Sequence, residues 1–156
     1  MRGLHHRLYI EFTVLALLLA LGSPAQAQDV AARMNMIEYM VQERPVLANL
    51  ITKAGLTPIL SDAGPYTILA PPEAELKKLK DLPAVRLRAV LSGHILQGLY
   101  QEKDFKDGAT IQTLAHTNIR VCRKKDYTLI DGMQIGHEPV EVKNGILHSL
   151  SGKLNL

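Results

Sequence analysis

The chain has 156 residues, with 18 basic and 15 acidic side chains and a net charge of +3. So mild a surplus excludes the charge signature of a nucleic-acid-binding or membrane-surface protein. A single cysteine, Cys122, excludes any intramolecular disulfide, so the fold must be held by its core alone.

Residues 1–27 have the three parts of a cleavable secretory signal. Arg2 and Arg7 give a positive start, Phe12 to Leu21 form an apolar run, and Ala25-Gln26-Ala27 supplies the small-residue cleavage site. The run is about half the roughly 20 residues a bilayer span needs, so an uncleaved tether is the weaker reading. No cysteine near the site offers lipid attachment, and the two arginines are not adjacent, which argues against twin-arginine export. Cleavage leaves residues 28–156, one domain of ordinary size with no later stretch long enough to cross a membrane. Tryptophan is absent and Phe105 is the only phenylalanine of that part, so its core must be aliphatic.

The first half reads as helices. Asn35 is a plausible N-cap, followed by Met36, Met40 and Val41 at helical spacing. Beyond Pro45, a second stripe of Val46, Leu47, Leu50, Ile51 and Ala54 ends at Gly55, where a left-handed cap is expected. Both stripes read as core faces. Tyr66 to Ala70 is a short β-prone run stopped by Pro71-Pro72. Glu73 to Lys80 reads as a helix with acids early and lysines late, matching the helix dipole. A further helix from about Ala84 to Leu91 brings Val85, Leu87, Val90 and Leu91 near one face.

From Ile111 the apolar period shifts towards two. Ile119 with Val121, Tyr127 with Leu129, and Val140 with Val142 alternate as strands do. Asp131-Gly132 and Asn144-Gly145 read as hairpin turns in which glycine accepts positive φ, and Ile146, His148 and Leu150 share a side of the last strand. Helices first and strands later predict an α+β domain with a largely antiparallel sheet system.

The residues that carry chemistry are sparse. No phosphate-binding glycine loop, nucleophile elbow or H-E-x-x-H motif is present. His94, His116, His137 and His148 lack the short paired spacing of a zinc site, so no metal or cofactor is expected. Asp104, Asp107 and Gly108 make only a fragment of a calcium loop, and a turn is the plainer reading. Ser92-Gly93-His94 sets a hydroxyl near an imidazole without any mark of an oxyanion hole. Arg120, Arg123, Lys124 and Lys125 read as a solvated hairpin tip, with a small anion-contact patch as the alternative. Cys122 reads as a small packing residue, with a disulfide-linked dimer as the minority view.

Three segments, in order, resemble the fasciclin (FAS1) domain family. Gly64-Pro65-Tyr66-Thr67-Ile68-Leu69-Ala70-Pro71-Pro72-Glu73-Ala74-Glu75-Leu76 is similar to its strand-then-helix signature, and the stretch Leu56 to Asp62 to the approach before it. Leu91 to Tyr100 resembles the Tyr-His region, and Asn144 to Leu150 with Lys153-Leu154 resembles the closing segment. Leu69 and Leu76 stand where Phe is usual, and Gly93 replaces the Tyr of the Tyr-His pair while His94 is retained. The resemblance implies a β-wedge of two mostly antiparallel sheets with N-terminal and central helices alongside. It also implies adhesion or contact with a cell-surface or matrix protein or polysaccharide, without catalysis, by a secreted or periplasmic protein. No nucleic-acid partner and no membrane anchor after cleavage are expected, and a monomer is the expected state. Leu91, His94, Ile95, Leu96 and Tyr100 are the candidate interaction or structural motif, with His94 read as packing. An envelope carrier for a small apolar ligand is the alternative, suggested by the aliphatic core.

Overall fold

A computed structural model describes residues 24–61 and 64–155. The chain divides into a unit ending at Val30 and a unit from Ala31 to Leu156. The described residues of the first, 24–30, belong to helix α1 (Pro24–Ala31), which carries the expected cleavage site. The rest of the expected signal, upstream of Pro24, lies outside the described residues.

The second unit is layered as helices, a mixed sheet and a second sheet. Helix α2 (Met36–Glu43) starts in a reciprocal capping box, with the Asn35 side chain accepting from Glu38 N–H and the Glu38 carboxylate accepting from Asn35 N–H. Helix α3 (Pro45–Lys53) begins with proline at its first position, where no intrahelical N–H is needed. It ends at Gly55, whose φ of 67° is the left-handed cap the sequence predicts. Short helices α4 (Thr57–Ser61) and α5 (Glu73–Lys77) and helix α6 (Ala84–Ser92) complete the layer.

Met36, Met40, Leu47, Leu50, Ile51, Leu87 and Leu91 are buried in one cluster with Ile68 and Leu147 of the sheet beneath. Full burial of each such side chain contributes about 1.5–3 kcal/mol, before the ordering entropy is subtracted. Two expected members of this face point elsewhere. Val41 is 59% exposed and Val85 82% exposed, so each helix turns a narrower stripe inward than its apolar residues imply. Neither position has a layer packed over it.

The first sheet has the order β2-β1-β8-β7, formed by Ile95–Gln97, Tyr66–Ala70, Gly145–Ser149 and Val140–Val142. Its central pair, β1 with β8, is parallel, with Tyr66 opposite Gly145 and Leu69 opposite His148; the flanking pairs are antiparallel. The second sheet is antiparallel, in the order β3 (Thr110–Gln112), β4 (Asn118–Arg123), β5 (Thr128–Ile130) and β6 (Met133–Gln134). Isolated bridges between Leu96 and Thr113 and between Ile135 and Leu150 tie the sheets together. Leu69, Leu96, Phe105, Ile119, Val121, Ile130, Ile135, Leu150 and Leu154 form a separate buried cluster. The strand alternation thus divides β1 between two cores, with Ile68 in the helical cluster and Leu69 in the other.

The two predicted glycine turns differ. At Asp131-Gly132 both residues have positive φ, 44° and 83°, as a two-residue primed hairpin turn requires. Gly145 is already the first residue of β8, opposite Val142, and has no positive φ; the turn is Lys143-Asn144. Gly145 is needed for a different reason. A Cβ there would lie 2.2 Å from the Tyr66 carbonyl oxygen and 2.7 Å from Met36 Cε, so only glycine lets β8, β1 and α2 meet.

Candidate functional site

The segment from Leu91 to Tyr100 runs off helix α6, through a turn at Gly93, into edge strand β2. Leu91, Ile95 and Leu96 are at most 1% exposed and divide between the two cores, while Tyr100 is half-buried. The outward side chains of this segment are Gln97 and Leu99, the latter 56% exposed.

His94 is 2% exposed and both ring nitrogens are engaged. Nδ1 lies 2.9 Å from the Val90 carbonyl oxygen, and Nε2 accepts the Leu154 N–H at 3.0 Å. Those two bonds define the neutral ring with its proton on Nδ1. Its backbone carbonyl accepts the Leu69 N–H at 2.8 Å. One residue therefore joins α6, β1 and the C-terminal segment. Burial pushes its pKa below the usual imidazole value, against the Val90 bond that favours the charged form; Lys153 lowers it further.

A second neutral histidine lies on the sheet-facing side of β8. His148 Nε2 donates to the Tyr100 carbonyl at 2.6 Å, and its ring meets Phe105 edge-on at a centroid distance of 5.5 Å. Phe105 in turn stacks on Tyr100 at 5.8 Å. Burial lowers the His148 pKa, opposed by the Tyr100 bond and by Glu102. Its Nδ1 is buried with no hydrogen-bond partner, a further obstacle to carrying a charge there.

Two polar side chains have tying roles that the sequence reading does not assign to them. Thr67 Oγ1 donates to the Gly98 carbonyl and accepts the Tyr100 N–H, pinning the loop after β2 to β1. Asn144 Oδ1 accepts the Met36 N–H at 2.7 Å, and its Nδ2 donates to the Leu60 carbonyl at 2.9 Å. That links the β7–β8 turn to two helices. A lone Thr inside an apolar strand gives no sequence signal for such a role; an Asn before an invading Gly gives a faint one.

The outer stripe of α6, comprising Val85, Arg88, Ala89 and Ser92, borders an open groove of about 380 Å³ with Ile59 and the Leu114-Ala115 turn. Arg88 Nη1 donates to the Ala54 and Gly55 carbonyls at the end of α3, so its guanidinium is held at that helix's negative end. Cys122 is half-buried on β4, opposite Leu129. Among the described residues, no three of His, Cys, Asp and Glu gather as metal ligands. No helix among them is long and apolar enough to cross a membrane.

A helical layer on a mixed sheet, a second antiparallel sheet bridged to it, and a histidine clasp at the chain's end define an α+β two-sheet domain. The chain belongs to the fasciclin domain family, whose profile (Fasciclin domain) matches residues 43–154. It is similar to an uncharacterized protein of Synechocystis sp., 23% identical over 125 residues, covering 73% of this chain and 92% of the relative. Its fold is similar to a solved FAS1 domain pair from the insect cell adhesion molecule fasciclin I, with a TM-score of 0.62 and 16% identity. That likeness covers 80% of this chain, which spans about half (52%) of the length of the insect structure.

Proposed function

We propose that this protein is exported by the segment 1–27 and mediates adhesion or contact with a surface or matrix, without catalysis. The family membership carries this reading. The insect structure it resembles comes from a molecule described as a cell adhesion molecule. The interior histidines are in keeping with it, because His94 through both ring nitrogens and His148 through Nε2 make backbone hydrogen bonds that hold the fold. Residues Leu91, His94, Ile95, Leu96 and Tyr100 then act as packing, and partner contact falls to exposed side chains elsewhere.

Deleting the gene and measuring attachment or biofilm tests this. Reduced attachment, restored by the full chain and lost again when the export segment is removed, is the expected outcome. Normal attachment by the deletion strain would contradict the reading.

A carrier role for a small apolar ligand is the second reading, favoured by the groove beside α6, whose volume is within the range of ligand sites. Its openness to solvent, with Ala89 and Val85 exposed, makes it the weaker of the two.

A further inference from the structure

We infer that the tip of the β4–β5 hairpin is a binding site for an acidic polysaccharide, an inference that rests on the surface-contact reading above. Strand β4 ends at Arg123, and the turn Lys124-Lys125-Asp126-Tyr127 is closed by the Lys124 N–H on the Tyr127 carbonyl at 2.8 Å. Every residue from Arg123 to Tyr127 is exposed. The loop before β3 lies alongside, because Asp107 Oδ1 accepts the Arg123 N–H at 2.8 Å and the Gly108 N–H reaches the Val121 carbonyl. That adds Lys106, also exposed, to the same end of the sheet.

The tip therefore gathers four cations, Lys106, Arg123, Lys124 and Lys125, against the carboxylates of Asp107 and Asp126. Among the described residues none of the four cations forms an ion pair, and the Asp107 carboxylate is engaged by a backbone amide. Because no ion pair among the described residues has to be broken, these exposed cations can turn to an external anion at the cost of side-chain ordering and partial desolvation alone. Beside them Tyr127 keeps 39% of its surface in water, one of the few large apolar groups left outside the core.

This combination selects the partner's chemistry. Guanidinium and ammonium groups fit carboxylate or sulfate groups, and a tyrosine face suits the C–H face of a pyranose ring while its hydroxyl stays wet. The cations lie around a narrow tip rather than across a flat face, so a flexible linear polymer meets more of them than a planar surface does. The small overall charge, +3, disfavours nucleic acid.

The full chain, purified as exported, is titrated with a polyuronate such as alginate, with neutral dextran and with vesicles rich in anionic lipid. Polyuronate binding that weakens steeply with added salt is expected, with no binding to dextran. The triple variant Arg123→Gln, Lys124→Gln, Lys125→Gln should bind about tenfold more weakly or worse, with a shallower salt dependence. Tyr127→Ala should weaken binding with the salt dependence unchanged. All four positions are exposed, and matching thermal midpoints establish that the variants are folded. Wild-type retention of polyuronate by the triple variant, equal binding to dextran, or tighter binding to vesicles would overturn the inference. If the triple variant retains polyuronate while the deletion strain fails to attach, the hairpin is wrong and the surface-contact reading survives. Normal attachment of the deletion strain contradicts that reading directly.

Discussion

Gly145→Ala is expected to cost at least about 3 kcal/mol, at the upper end of the usual range for overpacking. Its Cβ would stand 2.2 Å from the Tyr66 carbonyl oxygen, an atom of backbone in the parallel β1–β8 pair at the sheet's centre. Met36 Cε, at 2.7 Å, can swing away, but the carbonyl can move only if the two strands part. Parting them would also strain the Asn144 bonds to α2 and α4, so the damage reaches the helical core. For a domain of this size the loss corresponds to a thermal midpoint lower by roughly 10 °C. Gly132→Ala is the control. It has a φ of 83° but nothing within 4 Å of the added methyl, so it should cost only about 1 kcal/mol of backbone strain. Chemical unfolding of both variants measures the difference, and equal costs would contradict the close-approach explanation.

The second large effect is on acid stability. His94 and His148 are both buried in neutral form, with pKa values pushed below the usual 6.5. In the unfolded chain each recovers its ordinary value, so between the two values the unfolded state binds more protons. Stability is therefore complete above about pH 6.5 and falls as the pH drops through the window down to the folded values. Within that window the slope for each histidine stays below the limit of about 1.4 kcal/mol per pH unit set by one proton. For His94 the cause is geometric as well: a proton on Nε2 would face the Leu154 N–H, donor against donor, with the ring 2% exposed. His94→Gln has no titrating ring. It should lower stability at pH 7.5 by about 1–3 kcal/mol while reducing the acid slope relative to wild type. Unfolding midpoints followed from pH 7.5 to 5 separate the two effects. An unchanged slope in the variant would show that His94 does not bind the proton that unfolds the protein.

Local signals in the sequence carried over well into the structure. The Asn35 cap, the left-handed Gly55 and the Asp131-Gly132 turn each depend on neighbours within a few residues, and each is found. Contacts between distant residues were not legible in this way. Gly145 reads as a turn glycine because it follows Asn, yet its requirement comes from Tyr66, which pairs with it only after the chain has crossed the whole fold. The parallel β1–β8 pair is hidden for the same reason, since alternation marks a strand but not its partner. Val41 and Val85 have helical spacing with the core residues, but spacing does not reveal how wide a stripe the neighbouring layer covers.

The motif from Leu91 to Tyr100 illustrates the same division. Its apolar residues could be assigned to strands and helices from their spacing. What the sequence does not display is that His94 holds the Leu154 amide, sixty residues away along the chain. The cationic hairpin shows the reverse case. Arg123, Lys124 and Lys125 are adjacent in sequence, but the addition of Lys106 and the diversion of Asp107 to the Arg123 amide emerge only from the fold.

The proposed function requires the folded domain itself to make the contact with a surface. Cells of the producing organism can be allowed to settle on surfaces coated with the purified protein, either native or heat-unfolded at equal coating density. Native coating is predicted to hold more cells than the unfolded coating, and soluble native protein should compete them off. Equal retention on both coatings, with no competition, would contradict the account.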